Sequence, residues 1–231
     1  MTSVWTGVPD VVKPPPAAVL AVCDNGRERP EPVQIGVCGL DAGRAGEPVT
    51  WLVRPTAPIA PVMTLRVHGL GDADVAGAPG LPEVWPQVSD VVGGRLLVVH
   101  NAGRILGTLA GLPDPGTAGL AGVLDTLRLA RHRRVSVGGS YALAPLIAAT
   151  RVNATPVPRF ERADWTALAT AALFTHLVTL PPLVPFHILT TWCRADLPPG
   201  WPDPSTPEPW PTVLREAPPL ALPNPAIGRD R

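Results

Sequence analysis

Lysine, net charge and long apolar runs are what this sequence has least of. Lys13 is the only lysine, and the 231-residue chain has a formal net charge of zero. Proteins that bind nucleic acid tightly and without specificity usually carry a clear basic excess, so this balance counts against that class. No apolar run reaches the length of a membrane-spanning helix without a proline or a charge, and residues 1–16 do not have a signal-peptide pattern.

Cysteine is also scarce. The three cysteines, Cys23, Cys38 and Cys193, are an odd number and show no C-x-x-C spacing. This pattern argues against a zinc site and against a framework of disulfides. We therefore expect a soluble protein in the reducing environment of the cytoplasm.

Proline is abundant, and its distribution divides the chain. Residues 14–16 are three consecutive prolines, which favour an extended arm over residues 1–16. Residues 181–231 hold 14 of the 32 prolines and three of the seven tryptophans. We expect a folded domain at 17–180 and an extended tail at 181–231 that contacts the domain or a protein partner.

Hydrophobic periodicity between these segments predicts an α/β domain. Three strands joined by short polar turns suggest an antiparallel meander, and a later, continuously apolar strand suggests a parallel neighbour. Asp125 is placed to cap a helix. The expected strands are 18–23, 33–40, 49–54, 96–99 and 123–124, and the expected helices are 82–92, 103–110, the segment after Asp125, 141–150 and 163–177.

Seven short segments, in order and at workable spacing, resemble motifs of the DnaQ-like (DEDD-type) 3′–5′ exonuclease family. Among them, V-H-G-L at 67–70 is similar to the family's I-H-G-I turn, and L-V-V-H-N-A at 97–102 to its second motif. The sequence V-L-D-T-L-R-L-A-R at 123–131 is similar to the family's V-x-D-T-L-x-L-A-R. The other segments are 33–36, 51–55, 140–143 and 169–174.

The resemblance covers residues 17–177 and implies a ribonuclease H-like fold, in which helices flank a mixed sheet. It also implies a chemistry: members of this family use four acidic residues to hold two divalent metals, with a histidine as the base. Magnesium and manganese need oxygen ligands, carboxylates above all.

The first family motif, D-x-E followed by T-T-G, lacks its acids here. If Gly26 is the motif glycine, the acidic positions are Ala21 and Cys23. The alternative register makes Asp24 the first acid and places Gly26 at the second acidic position. One carboxylate survives at best.

The second and third motifs depart from the family as well. Ile105 stands at the acidic position of H-N-x-x-F-D. In H-x-A-x-x-D, Glu161 replaces the histidine and Thr166 the aspartate. Asp164 lies two residues before Thr166, about 200° away around a helix, and so points elsewhere. Arg104, beside Ile105, adds positive charge where a metal would bind.

Three functions remain open at this point. The first is a degenerate exonuclease without metals or cofactors that acts as a binding or scaffolding module, with a protein partner for its tail. The second is a non-catalytic binder of single-stranded DNA or RNA, and the third is an active exonuclease with two magnesium or manganese ions on displaced ligands such as Asp24, Glu161 and Asp164. The candidate nucleic-acid contacts are His68, His100, Asn101, Arg104 and Arg131.

Several of these candidates have a structural interpretation too. His100 and Asn101 are also compatible with a turn at the end of a strand, and His68 with a turn that uses a glycine at positive φ. The arginines of 128–134 suit a helix C-terminus, whose dipole favours cations.

Overall fold

A computed structural model describes Pro9, Pro14, Leu112 and residues 16–109, 122–152 and 157–196. Most of the predicted arm, the loop around 113–121 and the tail from 197 lie outside the described residues. No helix within the described ranges is long and apolar enough to cross a bilayer.

The fold is a six-stranded mixed sheet flanked by helices, as predicted. Its strands are β1 (Ala17–Asp24), β2 (Pro32–Asp41), β3 (Arg44–Ala45), β4 (Val49–Leu52), β5 (Leu96–Val99) and β6 (Gly122–Asp125). The order is β3-β2-β1-β5-β6, and β4 also pairs with β2. The predicted meander is present because β2 runs antiparallel to β1, β3 and β4, whereas β5 is parallel to both β1 and β6.

Within the described residues, seven α-helices connect and cover the sheet. They are α1 (Asp72–Val75), α2 (Leu81–Val92), α3 (Ala102–Leu109), α4 (Thr126–His132), α5 (Leu143–Thr150), α6 (Ala163–Thr179) and α7 (Phe186–Cys193), and a π-helical turn spans Met63–Val67. The predicted helices agree within a few residues. Pro145 needs no kink, because α5 begins at Leu143 and the proline falls in its first turn.

The pleat of β1 divides the core between the two faces of the sheet. Val19 and Cys23 point toward α6, whereas Ala18 and Leu20 point toward α2 and α3. Helix α6 approaches β2 very closely: a Cβ on Gly36 would lie 2.4 Å from the carbonyl oxygen of Ala163. This contact fixes the N-terminus of α6 beside the end of β1.

The change to an extended tail at residue 181 is not observed, which corrects the predicted boundary as far as residue 196. Helix α7 lies in this segment, with Leu189 and Cys193 buried in the core. The N–H of Ala195 then donates to the carbonyl of Val123 at 2.9 Å, beside β6. The proline content of 181–231 obscured this short apolar helix, and residues 197–231 remain a predicted tail.

Candidate functional site

Asp24 closes β1 on the side of the sheet that α3 covers. Its side chain is buried, with a residue exposure of 2%. The carboxylate Oδ1 accepts a hydrogen bond from the N–H of Gly26 at 2.9 Å, and Gly26 has a φ of +69°. This turn requires glycine, which favours the register that aligns Gly26 with the family glycine and places the acidic positions at Ala21 and Cys23.

Arg104, near the start of α3, binds Asp24 in a bidentate pair through one edge of its guanidinium. Its Nε donates to Oδ2 at 2.8 Å and its Nη2 to Oδ1 at 3.0 Å. The arginine side chain is 56% exposed, whereas that of Asp24 is 3% exposed. A buried carboxylate is therefore neutralised by a cation that faces solvent.

The positions that carry the family's acids are split between the two faces of the sheet. Ala21 and Cys23 face α6, and the Cys23 thiol donates to the carbonyl of Glu161 at 3.5 Å. Thr166 is half-buried in the first turn of α6. Ile105 is buried in the core beneath α3.

Three carboxylates surround Cys23 without converging. The pKa of Cys23 is raised to about 12, mainly by burial and then by the charges of Asp24, Asp164 and Glu161, while Arg162 opposes the shift. Asp164 is exposed and accepts from the N–H of Trp165 at 2.8 Å. Burial also raises the pKa of Glu161.

These residues do not fit a pair of divalent metals. Alanine, isoleucine and threonine replace three of the family's carboxylates, and the nearby Asp24 is bound by Arg104. In the part of the chain that the structure describes, no three His, Cys, Asp or Glu side chains form a group that could hold a metal ion.

His68 is completely buried, so it cannot contact a ligand directly, and this corrects its prediction as a nucleic-acid contact. Its Nδ1 accepts from the N–H of Leu70 at 3.1 Å, which leaves Nε2–H to donate to the carbonyl of Asp24, also at 3.1 Å. Burial lowers the pKa of His68, whereas the carbonyl and carboxylate of Asp24 raise it. The residue holds the turn at Gly69, whose φ is +74°.

His100 also makes hydrogen bonds within the fold. Its Nε2–H donates to the carbonyl of Tyr141 at 3.0 Å, and its Nδ1 then accepts from the hydroxyl of Thr126 at 2.8 Å. Burial lowers its pKa, against the opposing effects of Asp125 and the Tyr141 carbonyl. This geometry matches the strand-end turn that the sequence also allowed.

Asp125 organises that turn. Its buried carboxylate accepts from the backbone N–H groups of Asn101 at 2.9 Å, Ala102 at 3.0 Å and Leu127 at 2.8 Å. The predicted cap of α4 is thus confirmed. The bonds to Asn101 and Ala102 were not predicted, because they join segments more than 20 residues apart.

The arginines of α4 have different roles. Arg128 donates to the carbonyl of Arg194 at 2.7 Å and to Asp196 at 2.6 Å, and Arg133 donates to the carbonyl of Pro182 at 2.9 Å. Both therefore hold the C-terminal segment. Arg131 is exposed, with its guanidinium carbon 5.6 Å from the centroid of the Tyr141 ring.

Of the five candidate contacts, Asn101, Arg104 and Arg131 are exposed. His100 connects them, because it precedes Asn101 in the chain and contacts the same tyrosine as Arg131. Asn101 and Arg104 follow β5 and Arg131 follows β6, so with His100 they lie beyond the carboxyl ends of two neighbouring parallel strands, and we call these four residues the strand-end surface.

Comparison with known proteins finds a polymerase subunit-like protein and several exonucleases. No protein-family model matches the chain. A DNA polymerase III subunit epsilon-like protein from Rhodobacter capsulatus is 42% identical over 74 residues, which are 31% of this chain and 10% of that relative. The chain thus matches only a small part of that protein's length.

Solved structures are similar to this chain over about three quarters of its length. Exonuclease X in complex with 5′ overhanging duplex DNA is similar with a TM-score of 0.58 and 25% identity, over 73% of this chain and 95% of that one. E. coli exonuclease I in complex with a dT13 oligonucleotide is similar with a TM-score of 0.57 and 15% identity, over 73% of this chain and 42% of that one.

Proposed function

We propose that this chain is a member of the DnaQ-like 3′–5′ exonuclease family that binds nucleic acid in the manner of an exonuclease without cleaving it. The proposal combines two of the functions that the sequence leaves open, the degenerate exonuclease and the non-catalytic binder.

The observation that carries the proposal is the ion pair between Arg104 and Asp24. A guanidinium neutralises a carboxylate and attracts phosphate, but it cannot lower the pKa of a bound water as a divalent metal does. A cation that belongs to the chain thus stands beside the former metal centre. Losing acidic side chains there also reduces repulsion of a phosphodiester backbone.

The distribution of charge supports binding of a polyanion, although the net charge is zero. Residues 91–160 contain eight arginines and only two acidic residues, Asp114 and Asp125. The carboxylate of Asp125 is buried under three backbone N–H groups. This part of the chain, which supplies the strand-end surface, is therefore strongly cationic.

The proposed test is fluorescence anisotropy with labelled single-stranded DNA and RNA, with cleavage followed in the same samples in the presence of manganese. We expect binding that weakens steeply with salt and no release of mononucleotides. Arg131→Gln should weaken binding, whereas Arg44→Gln, an equal change of charge on the distant strand β3, should not. Binding that does not respond to salt, or an absence of binding at low ionic strength, would refute the proposal.

The active exonuclease remains the competing function. It would require Asp24, Glu161 and Asp164 as metal ligands. Chelator-sensitive release of mononucleotides that Asp24→Ala and Asp164→Ala abolish would establish it. If those variants cleave as well as the unchanged protein, the activity has other ligands.

A protein partner for residues 197–231 and a cytoplasmic location are proposed from the sequence. The tail contains Trp201 and Trp210 among its prolines, and the three cysteines are free and buried. Removing the tail should leave nucleic-acid affinity unchanged if the two functions are separate, and cell fractionation would test the location.

A further inference from the structure

A cavity of about 650 Å³ opens between the β1–β2 turn, the start of α2 and the end of α3. Its volume lies within the range of sites for small ligands, roughly 300–1,000 Å³. The walls come from the turn between β1 and β2, the segment after β4, the start of α2 and the end of α3. None of the candidate residues from the sequence lines it.

Two chain segments connect the cavity to the ion pair. Glu28 and Arg29, on one wall, follow Asp24 closely in the β1–β2 turn. Thr108, on another wall, lies four residues after Arg104 and so on the same face of α3, one turn away. Arg104 and this wall of the cavity are therefore about one helical turn apart.

The lining combines apolar walls with two cations. Pro32, Val53 and Leu81 supply apolar surface, and Arg29 and Arg54 add positive charge. Glu31 also faces the cavity, but its carboxylate accepts from both the N–H and the hydroxyl of Thr56. This pair occupies the Glu31 carboxylate, and Glu28 adds a second acidic side chain to the lining.

We propose that this cavity receives one nucleobase, with the adjoining phosphate held by Arg29 and Arg54. A base offers flat apolar faces to the proline and leucine walls and N–H groups to the Glu28 carboxylate. The phosphate beside it matches the two arginines. This inference rests on the proposed function where the base belongs to a strand, and a free mononucleotide is the other source of the same chemistry.

Gly107 allows the cavity to be filled without disturbing the fold. It lines the cavity, and a Cβ built there meets no atom within 4 Å. Gly107→Leu also replaces glycine inside a helix, which favours folding. Gly77→Leu is the matched control, because a Cβ on Gly77 likewise meets no atom within 4 Å and this residue does not line the cavity.

A second variant, Leu81→Glu, tests the cavity independently in case Gly107→Leu does not fold. Leu81 is half-buried at the first position of α2. Leu81→Glu places a negative charge at the cavity, where it repels phosphate, and at a helix N-terminus, where an acidic residue is favourable. Thermal unfolding should show that all three variants are folded.

The experiment compares three probes: fluorescent oligothymidylate by anisotropy, an abasic oligomer of equal length by anisotropy, and thymidine monophosphate by calorimetry. Gly107→Leu and Leu81→Glu should bind oligothymidylate about tenfold more weakly than the unchanged protein, the size of one base contact. Gly77→Leu should bind normally. Gly107→Leu should bind the abasic oligomer as the unchanged protein does.

Equal binding of oligothymidylate by Gly107→Leu and the unchanged protein would overturn the cavity assignment, and a loss in Arg131→Gln would then still support the proposed function. If only thymidine monophosphate binds, and Gly107→Leu abolishes that binding, the cavity assignment holds for a free nucleotide and the proposed function fails. If none of the probes binds the unchanged protein, both are overturned.

Discussion

Arg104 and Asp24 form a bidentate pair that joins the first turn of α3 to the end of β1, with the carboxylate buried and the guanidinium in solvent. The two residues are 80 positions apart in the chain, so this contact joins distant segments of the fold. It ties the stability of the fold to the same groups that we propose meet nucleic acid.

The ion pair should contribute measurably to stability. Arg104→Met removes the charge but retains an apolar stem, and it leaves the Asp24 carboxylate with only the Gly26 N–H as its partner. We expect a loss of about 1–2 kcal/mol in the free energy of unfolding, measured in urea, because the exposed guanidinium limits the gain. A double-mutant cycle with Asp24→Asn should show coupling, and strictly additive losses would contradict the assignment.

The close approach of β2 and α6 predicts that Gly36 tolerates no side chain. Gly36→Ala should lower the free energy of unfolding by about 1–3 kcal/mol, since the new Cβ would lie 2.4 Å from the backbone carbonyl of Ala163. Thermal denaturation measures the effect. Gly46→Ala is the control, with 3.8 Å to its nearest atom, and an equal change in the two variants would show that the contact is unimportant.

Asp125 should stabilise the fold and shape the strand-end surface. Asp125→Ala leaves three backbone N–H groups without their acceptor, and we expect a loss of about 2–4 kcal/mol. Hydrogen exchange should accelerate at the amides of Asn101, Ala102 and Leu127. If only the Leu127 amide responds, Asp125 acts as a helix cap and does not hold the turn.

Stability should fall in mildly acidic solution. Burial lowers the pKa values of His68, His100 and His176 below their ordinary value of 6.5. The unfolded chain then binds protons that the folded chain does not, so the histidines stabilise fully above about pH 6.5, and this contribution is lost as the pH falls toward their folded values. The raised pKa of Glu161 acts oppositely, since its contribution is lost as the pH rises above its ordinary value of 4.5.

Urea titrations between pH 4.5 and 6.5 measure the slope of the free energy of unfolding against pH. His68→Gln should reduce this slope, whereas His187→Gln, a change at an exposed residue of α7, should not. A slope that is unchanged in His68→Gln would mean that His68 does not contribute.

The C-terminal segment should be part of the folded domain. The Trp192 ring stacks on His132 with centroids 5.5 Å apart, and Arg133 lies over the same ring at 5.8 Å. Trp192→Ala should cost about 1–2 kcal/mol in thermal or urea unfolding. Ile188→Ala, at an exposed position of the same helix, should cost less than about 0.5 kcal/mol, and similar losses in both variants would argue against this docking.

Local sequence signals are enough to predict the α/β sheet, the resemblance to DnaQ-like exonucleases and the lack of acidic residues at the matching motif positions. Those conclusions depend on local information: the apolar periodicity of strands such as Leu96–Val99, the capping aspartate and short motifs in a constant order. Such signals lie within a few residues of one another, so no knowledge of the fold is needed to read them.

Tertiary structure alone decided what the remaining polar residues do. The partners of Arg104, Asp125 and Arg128 come from segments more than 20 residues away, and the burial of His68 depends on the turn beneath it. The sequence did not predict helix α7. Prolines surround it, and it is stabilised by packing on α4 and the core. The cavity likewise forms where four separate chain segments come together, so no local sequence pattern predicts it.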